Sequence, residues 1–266
     1  MSVFQVNGLC AGYGGRHVVK NVAFSLKSGR VMGVLGANGS GKTTLIRSIC
    51  GILPHEGECV LEGERLESLR PRVLSQKCSY IPQRSGVTID ISALDVVLMG
   101  FNPELGLLEH PTKEMRLSAV QALELAGLKG MENRNYLHLS EGQKQLCILA
   151  RTLVSRGRLL LLDEPESALD FRYRYRMLSV IRQWVQQENC FALVALHDPM
   201  LALNDCDELL LLRDGQNIGV IHPQTDSIVQ MEQMLSQLYG SISLAVCTNK
   251  SGRQQLVMLR EGDDAL

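Results

Sequence analysis

The sequence predicts an α/β protein: a parallel-sheet core joined to an antiparallel β subdomain and interrupted by an inserted helical segment. Three observations carry this. The first third alternates apolar and polar residues, as at Val22, Phe24 and Leu26, with Gly29 and Gly63 at turn positions, which is the period of half-buried antiparallel strands. The middle third repeats apolar residues at helical spacing. Beyond it come three wholly apolar runs of strand length, Leu159–Leu162, Phe191–Leu196 and Leu209–Leu212, which read as buried parallel strands.

Taken in order, Val31–Leu35 is a short strand that enters a glycine cluster, and a helix follows from Thr43 to Cys50. Met115, Ala119, Ala122, Leu123 and Ala126 give a helix over Thr112–Ala126, stopped by Gly127. Ser140 and Gln143 have the spacing of a capping box, so a second helix starts at Ser140 and continues through Leu146, Leu149, Ala150 and Leu153. A third helix through Met177–Val185 joins the first two apolar strands. At the end, a helix over Ser227–Leu238 closes at Gly240, and two strands, Ile242–Cys247 and Gln255–Leu259, flank Asn249–Gly252; this tail reads as an appendage. The expected division is one unit over 1–266, with a core at 1–83 and 158–225, a helical subdomain at 84–157 and the tail at 226–266.

Composition excludes several classes of function. Apolar residues are 45% and charged residues 21% of the 266, far from the composition of disorder. With 27 basic against 28 acidic residues there is no positive field to hold a phosphate polymer, so nucleic acid is not an expected partner. The longest apolar run, Cys190–Leu196, falls far short of the roughly 20 residues that cross a bilayer. No basic stretch followed by an apolar one opens the chain, so a cytoplasmic location is expected. The 8 cysteines stand singly with no Cys-x-x-Cys pair, and read as small buried apolar residues.

Gly36-Ala37-Asn38-Gly39-Ser40-Gly41-Lys42-Thr43 matches G-x-x-x-x-G-K-[ST] between a strand and a helix, the context a phosphate-binding loop requires. Backbone N–H groups of such a loop curl around phosphate oxygens, Lys42 reaches the terminal phosphates and the Thr43 hydroxyl can bind Mg²⁺. Candidate contacts to ATP are therefore Gly36, Asn38, Gly39, Ser40, Gly41, Lys42, Thr43 and Thr44. Asp163 and Glu164 close a buried apolar strand, where carboxylates are costly without a partner. Mg²⁺ held by Asp163 supplies one, and Glu164 is then placed to polarise an attacking water.

Leu139-Ser140-Glu141-Gly142-Gln143 resembles the Leu-Ser-Gly-Gly-Gln signature of ATP-binding-cassette (ABC) ATPases, in the order and spacing of that family. The resemblance covers nearly the whole chain and implies further roles: Tyr13 stacking on adenine, Gln83 sensing Mg²⁺ and the permease, Ser167-Ala168-Leu169-Asp170 as the D-loop, and His197 touching the γ-phosphate. It also implies a head-to-tail homodimer in which Ser140, Gly142, Gln143 and Asp170 of one copy meet the nucleotide of the other. Two residues depart from the pattern: Glu141 stands for a glycine and Glu166 for a threonine or serine. Glu141, in a first helical turn, is expected to point to solvent.

Lacking a membrane span of its own, a cassette of this family implies separate permease subunits, and indirectly a solute-binding protein, with the chain held on the inner face of the membrane. Val97-Leu98-Met99-Gly100, Pro103, Leu105-Gly106 and the Leu196-His197-Asp198 stretch are similar to ATPases that import iron-siderophore, haem and cobalamin chelates. The competing expectation is a soluble ABC ATPase without a permease, such as one in iron–sulfur assembly.

Overall fold

The computed structural model describes residues 2–83, 86–106, 108–167 and 169–261. Its first strands, β1 (Val3–Tyr13) and β2 (Arg16–Lys27), pair antiparallel, and β3 (Arg30–Leu35) leads through the glycine cluster into α1 (Lys42–Ile49). There follow β4 (His55–Leu61), β5 (Glu64–Arg65), a 3-10 turn at Leu66–Ser68, α2 (Pro71–Lys77) and β6 (Cys78–Ile81). The helical stretch holds α3 (Ala93–Leu98), α4 (Lys113–Ala126) and α5 (Glu141–Val154). Then β7 (Leu159–Asp163), α6 (Phe171–Glu188), β8 (Phe191–Ala195), α7 (Pro199–Asp205), β9 (Glu208–Arg213) and β10 (Gln216–Ile221) complete the core, before α8 (Ile228–Tyr239), β11 (Ile242–Thr248) and β12 (Gln254–Arg260).

An antiparallel sheet has the order β2-β1-β4-β5, and a six-stranded sheet has the order β10-β9-β3-β8-β7-β6, in which all neighbours but β10 and β9 run parallel. The apolar runs are explained by cover on both faces. Leu160 and Leu162 of β7 pack with α3, α4 and α5, whereas Leu159 and Leu161 of the same strand pack with α1 and the antiparallel sheet. Strand ends at one edge of such a sheet gather loops from distant parts of the chain, and β3, β6, β7 and β8 deliver Gly36, Gln83, Glu164 and His197 there.

Helix boundaries follow local chemistry. Thr112 caps α4 by accepting the Met115 N–H, and Gly127 ends it at φ 87°. Ser140 and Gln143 form both bonds of the capping box at α5, and Ser227 with Gln230 does the same at α8. The tail does not stand apart. Met231, Leu235, Ile242 and Leu244 are buried in the same apolar cluster as α3, α4 and α5. The hairpin β11–β12 is tied to α7 by Asn204, whose Nδ2 donates to the Leu256 carbonyl and whose Oδ1 accepts the Leu256 N–H, both at 2.9 Å.

Candidate functional site

The loop from Gly36 to Gly41 turns into α1 with Gly41 at φ 104°, a conformation open to glycine but not to residues with a Cβ. Ala37, Asn38 and Gly39 are exposed, while Gly36, Ser40, Gly41, Lys42 and Thr44 are buried. A Cβ on Gly36 would lie 2.3 Å from the Leu212 carbonyl, so the loop is pressed against β9. Lys42 Nζ donates to the Gly36 carbonyl at 2.8 Å, and the Ser40 hydroxyl is buried without a protein partner. Thr44 packs inward, its carbonyl accepting from Ser48.

Thr43 Oγ1 donates to Asp163 Oδ1 at 2.8 Å, and the other Asp163 oxygen is buried without a hydrogen-bond partner among the described residues. Burial pushes the Asp163 carboxyl above its ordinary range, against the Thr43 bond. A hydroxyl and an orphaned carboxylate oxygen side by side are the donor set a small hard cation takes, so these residues fit Mg²⁺.

Glu164 is where four elements converge. Its Oε1 lies 3.5 Å from Lys42 Nζ, and its Oε2 accepts from Gln83 Nε2 at 2.8 Å and lies 2.6 Å from His197 Nε2. The phosphate loop and the ends of β6 and β8 thus each send one side chain to the carboxylate that follows β7. The backbone that aims it is unusual: Glu164 has φ 50°, a left-handed conformation costing a residue with a Cβ on the order of 1–2 kcal/mol.

The other expected residues fall as follows. Tyr13 ends β1 with its side chain half exposed. Ser140 and Gln143 bond each other, Gly142 is buried against the Tyr173 ring, and Glu141 is 69% exposed and pairs with Lys144. Asp170 caps α6 by accepting the Tyr173 N–H. Ala168, within the expected D-loop, lies outside the described residues. Gln83 meets Glu164, and among the described residues it has no bond to Thr43 or Asp163. Ser140, Gly142, Gln143 and Asp170 are not brought to Lys42 by any bond among the described residues.

Two contributors were not anticipated. Glu166, 2% exposed, accepts the His197 N–H at 2.9 Å and so fixes the backbone that carries the imidazole. Its other oxygen is buried without a partner, and burial pushes its carboxyl above the ordinary range. Asp198 caps α7 through the Met200 and Leu201 N–H groups, which anchors His197 from the other side. The departure of Glu166 from the usual residue was the visible signal for the first; Asp-Pro before an apolar stretch was the signal for the second.

The family model for ABC transporters matches residues 19–167. An uncharacterized ABC transporter ATP-binding protein of Haemophilus influenzae is 33% identical over 241 residues, which is 89% of either chain. The hemin import ATP-binding protein HmuV of Deinococcus radiodurans is 35% identical over 224 residues, covering 82% of this chain and 84% of that one. A chain from an inward-facing ABC transporter, described as of the metal-chelate type, superposes with a TM-score of 0.82 at 25% identity, over 98% of this chain and 99% of that one. With a phosphate loop, a gathered carboxylate and a family match over more than half its length, the chain belongs to the ABC transporter family, as an ATP-binding cassette and ATPase of that family.

Proposed function

We propose that two copies of this chain bind ATP head to tail and power a separate membrane permease that takes up a metal chelate. The observation that carries the hydrolytic part is the convergence on Glu164. A carboxylate held by Gln83 and His197 on one oxygen and facing Lys42 with the other is oriented to accept a proton from a water in line with the terminal phosphate. His197 Nε2, at 2.6 Å, is the next atom to share that proton. Lys42, Ser40 and the loop N–H groups bind and orient the phosphates, and Tyr13 offers its ring to adenine. Mg²⁺, where bound by Thr43 and Asp163, supplies charge neutralisation to the phosphates.

The helix N-terminus at Ser140, with Gly142 and Gln143 behind it and Asp170 on the next helix, serves as an anion site for the partner's nucleotide. ATP binding and closure are then one coupled equilibrium, and work comes from the preference of ATP for the closed pair. The chelate class rests on the likeness to a hemin import ATPase and a metal-chelate type transporter. Among the described residues no helix is long and apolar enough to cross a membrane, so a permease, fed by a solute-binding protein, supplies the pathway while this chain sits on its inner face.

Glu164→Gln tests the hydrolytic assignment. ATP binding should persist while turnover drops by about 10²–10⁴-fold, the usual contribution of a positioned base. Near-normal turnover would remove Glu164 from that role. For the transport assignment, the tagged chain recovered from detergent-solubilised native membranes should bring a polytopic permease in comparable amount; recovery with soluble assembly factors alone would overturn it.

A further inference from the structure

On the far side of α1 from the phosphate loop, about 12 Å along its axis at 1.5 Å per residue, His55, Cys59 and Glu67 meet. The chain arranges this meeting deliberately. His55 and Cys59 lie four residues apart on one face of β4, and the β1–β4 ladder slips between Asn7 and Cys10, opposite Gly57. Gly57, at φ 93°, approaches the Asn7 and Gly8 carbonyls so closely that a Cβ would sit 2.6 Å from them. Glu67 comes from the 3-10 turn that follows β5. His55 Nε2 is 3.0 Å from Glu67 Oε1 and 3.7 Å from Cys59 Sγ, and all the potential ligand atoms lie within 4.8 Å of one another.

Glu67 Oε1 accepts the Cys59 N–H at 2.6 Å and faces His55 Nε2. Without a metal the triad closes by hydrogen bonds, the imidazole N–H and the thiol both turned to the Glu67 carboxylate. A cation between the three atoms takes the place of those two protons, and each atom then presents a lone pair to it. In a tetrahedral site with metal–N near 2.0–2.1 Å and metal–S near 2.3 Å, neighbouring ligand atoms are about 3.3–3.6 Å apart, which the two His55 distances of 3.0 and 3.7 Å bracket.

We propose that His55, Cys59 and Glu67 form a second metal site, separate from the nucleotide site, for a borderline-soft divalent cation of the zinc class. The thiol is fully buried, and metal binding displaces its proton. Imidazole and thiolate select against Mg²⁺ and Ca²⁺. His55 and Glu67 also line, with Cys50 and Cys78, a cavity of about 370 Å³, which admits water or a small ligand. The same cavity touches the end of α1 and the β6 residues Cys78 and Tyr80, upstream of Gln83, so an occupied site abuts two elements that carry nucleotide-site residues.

Cobalt(II) titration of the full chain, stripped with chelator and kept reduced by a phosphine, tests this. One equivalent should bind with thiolate-to-cobalt absorption in the near ultraviolet and tetrahedral bands in the visible, and zinc should displace it. Cys59→Ser should abolish the thiolate band. His55→Ala and Glu67→Gln, the latter keeping an acceptor for the Cys59 N–H, should each weaken affinity by about tenfold or more. The double variant Cys50→Ser/Cys78→Ser should bind as the parent does. Absence of stoichiometric binding, or a signal that survives Cys59→Ser or His55→Ala, overturns the site and leaves a hydrogen-bonded triad only.

Discussion

Glu166 shows how one buried side chain can serve geometry at the expense of stability. Its carboxylate is needed at one oxygen, by the His197 N–H, and stranded at the other. Because burial raises its folded-state pKa above the unfolded value, the folded protein holds the proton more tightly than the unfolded chain. The cost of the charge is absent below the ordinary glutamate range and fully present once pH has passed the raised value. Glu166→Gln keeps an acceptor for His197 and removes the charge, so it should raise the melting temperature at pH 8 and converge with the parent as pH falls below about 4.5. Thermal melts across that range check this; a difference independent of pH would show that folding does not shift the Glu166 carboxyl. Glu164 belongs to the same scale. Its position in the sequence was plain, but its left-handed backbone was not, because nothing local asks a glutamate for φ 50°. Such strain persists only where surrounding contacts hold it, here Lys42, Gln83 and His197.

The elements divide by what sets them. Helices whose ends are written in neighbouring residues were legible: Thr112 and Gly127 bound α4, and Ser140 with Gln143 opens α5. The apolar strands β7, β8 and β9 were legible because both faces are covered and no alternation is needed. The short α2 and the strand β10 were not, since α2 has no fully buried residue and β10 gains its place by pairing with β9. The helix and paired strands of the tail were legible, while the docking of Leu235 and Ile242 into the core is a tertiary fact that local sequence does not carry. Two predictions belong here. Ser140→Ala removes the cap of α5 and should cost about 1 kcal/mol, roughly 2 °C in a chain of this size, read by calorimetry. Leu235→Ala should cost about 2–5 kcal/mol if α8 is integral to the core; a loss below 1 kcal/mol would return the tail to the status of an appendage.

For the molecule as a whole, the proposed head-to-tail pairing divides the site. Lys42, Gln83, Glu164 and His197 meet within one chain, while the side chains of Ser140 and Gln143 bond each other's backbone N–H and not Lys42 among the described residues. Assembly should therefore depend on nucleotide and on protein concentration together. In sedimentation with MgATP, Glu164→Gln should form a dimer that Lys42→Ala does not; a monomer at all concentrations would count against the paired arrangement. The order of motifs made the nucleotide site legible, since each sits at a strand or helix end that sequence patterning already locates. The His55–Cys59–Glu67 cluster was hidden, because a ladder slip and a 3-10 turn bring its members together. Asn204 offers a last consequence. Its amide gives β12 the two bonds a neighbouring peptide would give, and its helix begins two residues after His197. A strain on the β11–β12 hairpin is therefore carried in part by this amide, beside the buried Ile242 and Leu244 and the Arg253–Asp205 pair, toward the helix that follows the imidazole.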